Sequence, residues 1–110
     1  MMAGDIKPKT IRQNLYVTQE DSFIPLSAHN ANTDISSATE LVPPAGATKL
    51  LIQALTENVR YTIDGTDPTT AIGFLITAND PPGVIYLGAD MVVKVIEETA
   101  TASIQYQWGK

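Results

Sequence analysis

The chain has 110 residues, 44% of them hydrophobic and 17% charged, and its seven basic and twelve acidic side chains leave a net charge of −5. That length suits one domain with one core, the composition is too apolar for a disordered chain, and the lack of cysteine removes disulfides, thiol catalysis and Cys-based zinc sites. No run approaches the roughly 18 consecutive apolar residues of a membrane helix, and no hydrophobic signal-peptide block opens the chain, so a soluble protein made without an export signal is expected.

Residues 1–13 carry Lys7, Lys9 and Arg12 against Asp5, a local charge of +2, whereas residues 14–110 hold four basic and eleven acidic side chains, or −7. The basic stretch, which includes Pro8, reads as an N-terminal arm ahead of a single domain over 14–110. It is either a frayed terminus or a partner-binding arm that crosses onto an acidic neighbour. The acidic body has no Lys/Arg cluster to displace counterions from phosphates, which argues against duplex nucleic acid as a partner.

Strand signals then recur every ~8–12 residues, the rhythm of an all-β sandwich or barrel. Ile11–Thr18 is rich in β-formers, with Leu15 and Val17 on one face; Phe23–Ala28 is a second candidate, demoted to an edge or bulge by Pro25. His29–Asp34 reads as a turn, and Ile35–Val42 as a weak strand leading into Pro43-Pro44. In Ala47–Leu55, Leu50, Ile52 and Ala54 share a face while Leu51 lies opposite, so both faces are at least partly covered.

The segment 59–64 alternates Val59, Tyr61 and Ile63 with Arg60, Thr62 and Asp64, a period of two with one face to a core. Asp64-Gly65 ends it: Asp folds back onto nearby N–H groups, Gly accepts positive φ, and Pro68 cannot donate to a ladder. A long loop over 64–72 leads to a strand at Ile72–Thr77, closed by the turn Asn79-Asp80-Pro81-Pro82-Gly83. Gly83–Leu87, Met91–Glu97 and Thr101–Trp108 follow, the last placing Ala102, Ile104, Tyr106 and Trp108 on one face against Ser103, Gln105 and Gln107. About eight or nine short strands predict an all-β, antiparallel β-sandwich, jelly-roll or immunoglobulin-like.

Little in the chain points to chemistry. His29 is the only histidine, which excludes a His-based metal cluster and makes a catalytic role depend on partners from distant loops. Asp64, Thr66 and Asp67 offer oxygen atoms to calcium but lack the spacing and terminal Glu of an EF-hand, and read as a hydrogen-bonded turn. Asp64, Asp67, Asp80 and Glu57, the carboxylates available for glycoside hydrolysis, all fall in turns. The scattered glycines form no phosphate loop. No catalytic residue, cofactor or metal is therefore expected. Trp108 with Tyr106, Tyr61 or Tyr86 is the aromatic set for a sugar-stacking platform, but Tyr106 and Trp108 share a face with Ile104, which favours core or subunit interface. Both stand as interface candidates, and burying a Trp so near the end of the chain is easier in an oligomer.

Four stretches together carry a resemblance: Pro44 to Ile52 (PAGATKLLI), Asn58 to Thr69 (NVRYTIDGTDPT), Gly73-Phe74, and Val93 to Ile96 (VKVI). This set, over about residues 36–108, resembles a module of small tailed-phage virion accessory proteins, among them capsid decoration or cement proteins and pieces of tails and head fibres. The block from Tyr61 to Thr69, with its turn residues Asp64, Gly65, Asp67 and Pro68, is also similar to sandwich domains appended to chitobiases and other glycosidases. The first resemblance implies a non-enzymatic structural protein, made in the host cytoplasm and located in the virion. It would bind the major capsid protein or other virion proteins, as a homo-oligomer, with no nucleic-acid or membrane partner. The second implies a glycan-binding accessory module, a family from which this chain departs by carrying no attached enzyme.

Overall fold

A computed structural model describes residues 22–110 of the chain. The strands are β1 (Asn30–Asn32), β2 (Thr39–Leu41), β3 (Lys49–Leu55), β4 (Val59–Thr62), β5 (Phe74–Ile76), β6 (Gly83–Tyr86), β7 (Val93–Glu97) and β8 (Ser103–Gly109). They form two four-stranded antiparallel sheets, ordered β1-β8-β3-β6 and β2-β7-β4-β5. The all-β antiparallel sandwich expected from the sequence is what the chain forms.

The pairing resolves the architecture further. β1 pairs with β8, β2 with β7, β3 with β6 and β4 with β5. Such nested pairing is that of one long hairpin whose tip is the β4–β5 loop, rolled so that β8 also meets β3 and β7 also meets β4. This is jelly-roll connectivity. Because strands alternate direction, the connections β1–β2, β3–β4, β5–β6 and β7–β8 gather at one end of the sandwich. The connections β2–β3, β4–β5 and β6–β7 gather at the other.

Alternation builds the core. β3 buries Leu50, Ile52 and Ala54 at every second position, β7 contributes Val93 and Val95, and β8 contributes Ile104 and Trp108. Leu41, Val59, Ile35 and Ala102 complete the buried set. Leu51, on the other face of β3, is half-buried.

Several boundaries differ from the sequence expectation. His29–Asp34 is not simply a turn, since Asn30–Asn32 pairs with Ile104–Tyr106 as β1. Asn is a poor strand former, and here the exposed edge of β8 supplies a partner that overrides local preference. Ahead of it, Pro25 bridges Gly109, while Ile24 and Lys110 exchange backbone hydrogen bonds and Leu26 N–H donates to the Trp108 carbonyl. From the Pro25–Gly109 bridge to the Asn30–Tyr106 pair the outer strand advances five residues and β8 only three, so two residues bulge between them. β4 ends at Thr62, after which Asp64 makes only an isolated bridge to Val92. β8 begins at Ser103 because Thr101 turns the chain with φ 76°. The Ile11–Thr18 strand lies outside the described residues, as do Lys7, Lys9 and Arg12.

Candidate functional site

The Asp-Gly-Thr-Asp-Pro block forms the tip of the rolled hairpin, and its side chains are spent on holding that tip. Asp64 Oδ1 accepts the Thr66 N–H at 3.0 Å, and Gly65, at φ 88°, donates its N–H to the Val92 carbonyl at 3.2 Å. The Thr66 N–H and hydroxyl hold the Asp64 carboxyl below its ordinary pKa. Thr62 Oγ1 donates to the Thr66 carbonyl, and Pro68 is fully buried beneath the loop. Asp67 is held by Lys94 Nζ at 2.8 Å, a hydrogen bond that also raises the lysine's pKa. Past the loop, Gly73 sits at φ 131° with its Cα packed so close that a Cβ would lie 3.0 Å from the Tyr61 carbonyl. Arg60 Nη1 donates to that glycine's carbonyl at 3.0 Å and pairs with Glu98 at 2.6 Å, while Asn58 Nδ2 donates to the other Glu98 oxygen at 3.3 Å. Asp64, Gly65, Asp67 and Pro68 thus form an Asx-type turn with a buried plug.

The other polar candidates do not converge. Glu57 and Asp80 belong to the β3–β4 and β5–β6 connections, at the end of the sandwich opposite Asp64 and Asp67. His29 Nε2 is hydrogen-bonded to Gln105 Oε1 at 2.8 Å on the surface. Among the described residues, no three His, Asp or Glu side chains group as a metal site.

Of the two places open to Trp108, core or subunit interface, the fold gives it the core. It is 3% exposed, stacked edge-on to Tyr106 at 6.1 Å between ring centroids, inside the core of a single chain. A partner cannot bury what is already buried, so its candidacy for an interface gives way to the core. Tyr106 is half-buried and packs on the same cluster. Trp108 likewise has no free ring face for a sugar, whereas Tyr86 is exposed.

Among the described residues, exposed apolar side chains gather on one flank, although Val42, just past β2, and Ile24, beside Lys110, are exposed away from it. β5 and β6 are the outermost strands of their sheets and lie on the same side of the sandwich. Their sequences, Phe-Leu-Ile and Gly-Val-Ile-Tyr, contain no charge and no proline. Phe74 is 62% exposed, Leu75 46% and Val84 40%. Beside Phe74 runs an open groove of about 590 Å³ along Tyr61, Ile63, Ile72 and Asp64. A smaller one of about 260 Å³, sharing Tyr61, enters between the sheets at Leu75, Ile76, Val84 and Ile85. The Tyr61 and Phe74 rings lie 5.5 Å apart where the two grooves meet. The opposite flank ends in β1 and β2, Asn-Ala-Asn and Thr-Glu-Leu, which are polar. Sequence reasoning placed strands at both apolar segments without marking them as edges. The missing signal was contextual, since a charge-free edge and a core strand read alike.

The root of the arm is also a built feature. Ser22 accepts a hydrogen bond from Lys49 Nζ through its carbonyl, and the Phe23 ring lies over Gly109, where a Cβ would come within 2.4 Å of it. The chain therefore departs toward residue 21 from the end of the sandwich that carries Lys49 and Lys110. Comparison with protein-family models, with curated proteins and with solved structures returns no match for this chain.

Proposed function

We propose that this protein is a non-enzymatic virion component, a capsid decoration or cement protein that bridges and stabilises major capsid protein subunits. The observation that carries the reading is the kind of surface the fold presents. Its conspicuous exposed side chains are apolar, with Phe74, Leu75, Val84 and Tyr86 on strands that are outermost among the described residues, and its turn carboxylates are spread over opposite ends. A particle under outward pressure from packaged DNA is held more firmly by a protein that must be pulled off several subunits at once, and modest affinity at each contact suffices. The basic arm, with Lys7, Lys9 and Arg12, engages acidic surface of the particle. The jelly roll itself is used by unrelated proteins and adds only analogy to the argument.

Quantitative mass spectrometry of purified particles tests the reading through copy number relative to the major capsid protein. Hundreds of copies support decoration, a handful moves the chain to a tail, head-fibre or adaptor role, and absence from particles overturns the virion assignment. Deleting residues 1–12 is expected to weaken particle binding while the domain stays folded; unchanged binding removes the arm from the mechanism.

One observation favours a second reading, a glycan-binding module: the Tyr61–Phe74 pair lines a groove that also holds Asp64 and Thr66. Trp108 fluorescence cannot report on that groove, because the ring is in the core. Oligosaccharide titration followed by amide shifts at Tyr61 and Phe74 is the appropriate assay.

A further inference from the structure

We infer that the groove along Tyr61, Ile72 and Phe74 is the seat of the chain's own basic N-terminal segment, Lys7–Arg12, with an arm cation set against Asp64. The inference concerns the free protein and stands apart from the virion assignment.

The groove sets what its occupant must offer. Tyr61, Ile63, Ile72 and Phe74 give it apolar and aromatic walls, and Ile72 and Phe74 are more than half exposed among the described residues. Its charged member is Asp64, whose carboxylate is kept ionised by the Thr66 N–H and hydroxyl. This end of the sandwich is neutral as a whole, with Lys49, Lys94 and Lys110 against Asp64, Asp67 and Asp90, so charge selects locally. Lys94 is taken up by Asp67 at 2.8 Å, and Lys49 by the Ser22 carbonyl. Asp64 has no lysine or arginine within ion-pair distance among the described residues. A carboxylate beside aromatic rings draws a cation through its charge and through the ring quadrupoles. The groove therefore fits a segment that offers apolar side chains and a cation close together.

The arm has that composition. Ile6-Lys7-Pro8-Lys9-Thr10-Ile11-Arg12 interleaves three cations with Ile6, Pro8 and Ile11, whereas Lys49, Arg60, Lys94 and Lys110 each stand alone in the chain. The arm also starts from the right place, since Ser22 lies beside Lys49 at the end that holds the β4–β5 loop and Asp64. From Arg12 to Ser22 an extended chain spans up to about 33–36 Å. Strands spaced ~4.8 Å apart in sheets ~10 Å apart put the groove within about 25 Å of Ser22, so the arm reaches it without strain. Asp34, Glu57, Asp80 and Glu97 hold more charge, but at the far end, a further strand length of ~23 Å away. Tethering raises the arm's effective concentration at the groove, so a weak contact is enough to fill it. Seated there, Lys7, Lys9 and Arg12 are withheld from any acidic partner that does not compete for them.

The chain has no cysteine, so Thr10→Cys gives the full-length protein a single thiol for a nitroxide label and leaves every arm charge in place. Paramagnetic broadening of amide signals then reads where the arm sits. The Ile63, Ile72, Gly73 and Phe74 amides are expected to lose most of their intensity at low salt, while Ala31 and Thr39, on the opposite flank, keep most of theirs. Asp64→Asn retains an oxygen for the Thr66 N–H, and it should restore the groove signals with the Ile104 amide unmoved. Phe74→Ser, at an exposed position, should do the same, and so should raised salt, which screens the pair. Groove amides that stay bright beside the label overturn the proposal, as does broadening that survives both variants. Broadening at Glu57 and Glu97 instead overturns it by giving the arm to the acidic end. Broadening that passes from a labelled chain to an unlabelled one in a mixture overturns the intramolecular seat in favour of a second copy. An oligosaccharide that shifts Tyr61 and Phe74 while the label leaves them bright overturns it in favour of a sugar. Particle copy number depends on none of these outcomes, so the two readings fail separately.

Discussion

The packing of Phe23 on Gly109 makes the root of the arm sensitive to a single methyl group. Gly109 is buried and its φ lies outside the left-handed region, so alanine fits its backbone and the only conflict is steric. An added Cβ would stand 2.4 Å from Phe23 Cζ and 2.7 Å from both Cε atoms, so the ring must leave. Phe23 lies at the start of the docked segment and can swing away. The reciprocal Ile24–Lys110 hydrogen bonds, at 2.8 and 3.0 Å, join the residues that follow Phe23 and Gly109 and lose the support of that packing. At ~0.5–1.5 kcal/mol net each, weakening two such bonds lowers the local opening free energy by about 1–2 kcal/mol. Exchange of the Ile24 and Lys110 amides should accelerate roughly 5- to 30-fold, while core amides such as Ile104 and Val95 keep wild-type protection. Hydrogen exchange read by NMR checks this, and Phe23→Ala supplies the control. If the ring is the cause, Gly109→Ala should add little in the Phe23→Ala background, a coupling that an additive result would refute. Unchanged protection at Ile24, or uniform loss across the core, would equally defeat the reasoning.

Other perturbations test separate parts of the fold. Ile104→Ala, at a fully buried position of β8, should cost about 2–5 kcal/mol in urea unfolding, whereas Leu75→Ala on the exposed edge should stay within ~0.5 kcal/mol in a monomer. Thr56 sits at φ 76° in a γ-turn closed by the Glu57 N–H on the Leu55 carbonyl at 2.9 Å. Thr56→Gly should relieve a β-branched residue of that conformation and raise stability by about 0.5–1 kcal/mol, and a destabilised variant would contradict the strain. The Glu98 carboxyl is held below its ordinary pKa by hydrogen bonds from Arg60 and then Asn58. A folded pKa below the unfolded one means the stabilisation is complete above the unfolded value and disappears as pH falls through the folded one. Urea midpoints taken from neutral to acid pH should therefore fall less steeply in Glu98→Gln than in the wild type, and parallel slopes would remove this pair from the acid response.

The strands most legible in the sequence were those whose alternation is enforced by burial on one face. β3, β7 and β8 bury Leu50, Ile52, Val93, Val95 and Ile104 where period-two patterning places them. β1 was not legible, because Asn30 and Asn32 carry turn preferences and are drawn into a ladder only by the neighbouring edge of β8. Thr101 reads as a strand former and instead turns the chain, since the crossing from β7 to β8 leaves it no other place. The jelly-roll pairing was one of two open alternatives, because nested partners such as Asn30 and Tyr106 are remote in the chain and no local residue records them. The turn at Asp64-Gly65 was legible in chemical detail, down to the folded-back carboxylate. The apolar flank was not, because Phe74 and Val84 look like core residues until the sheet order places β5 and β6 outermost among the described residues.

The rolled hairpin also sets an order in time. β7 and β8, the last of these eight strands to leave the ribosome, occupy interior places in their sheets, so β3 and β4 must wait for their central neighbours. At synthesis rates of about 5–20 residues per second, Leu50, Ile52 and Val59 stay uncovered for seconds before Ile104 and Trp108 arrive. The tip formed by β4 and β5 can close during that interval, because its partners are near in the chain. A nascent chain stalled before Ser103 would hold a finished tip on an open sheet, a species prone to aggregate and a natural client for a chaperone.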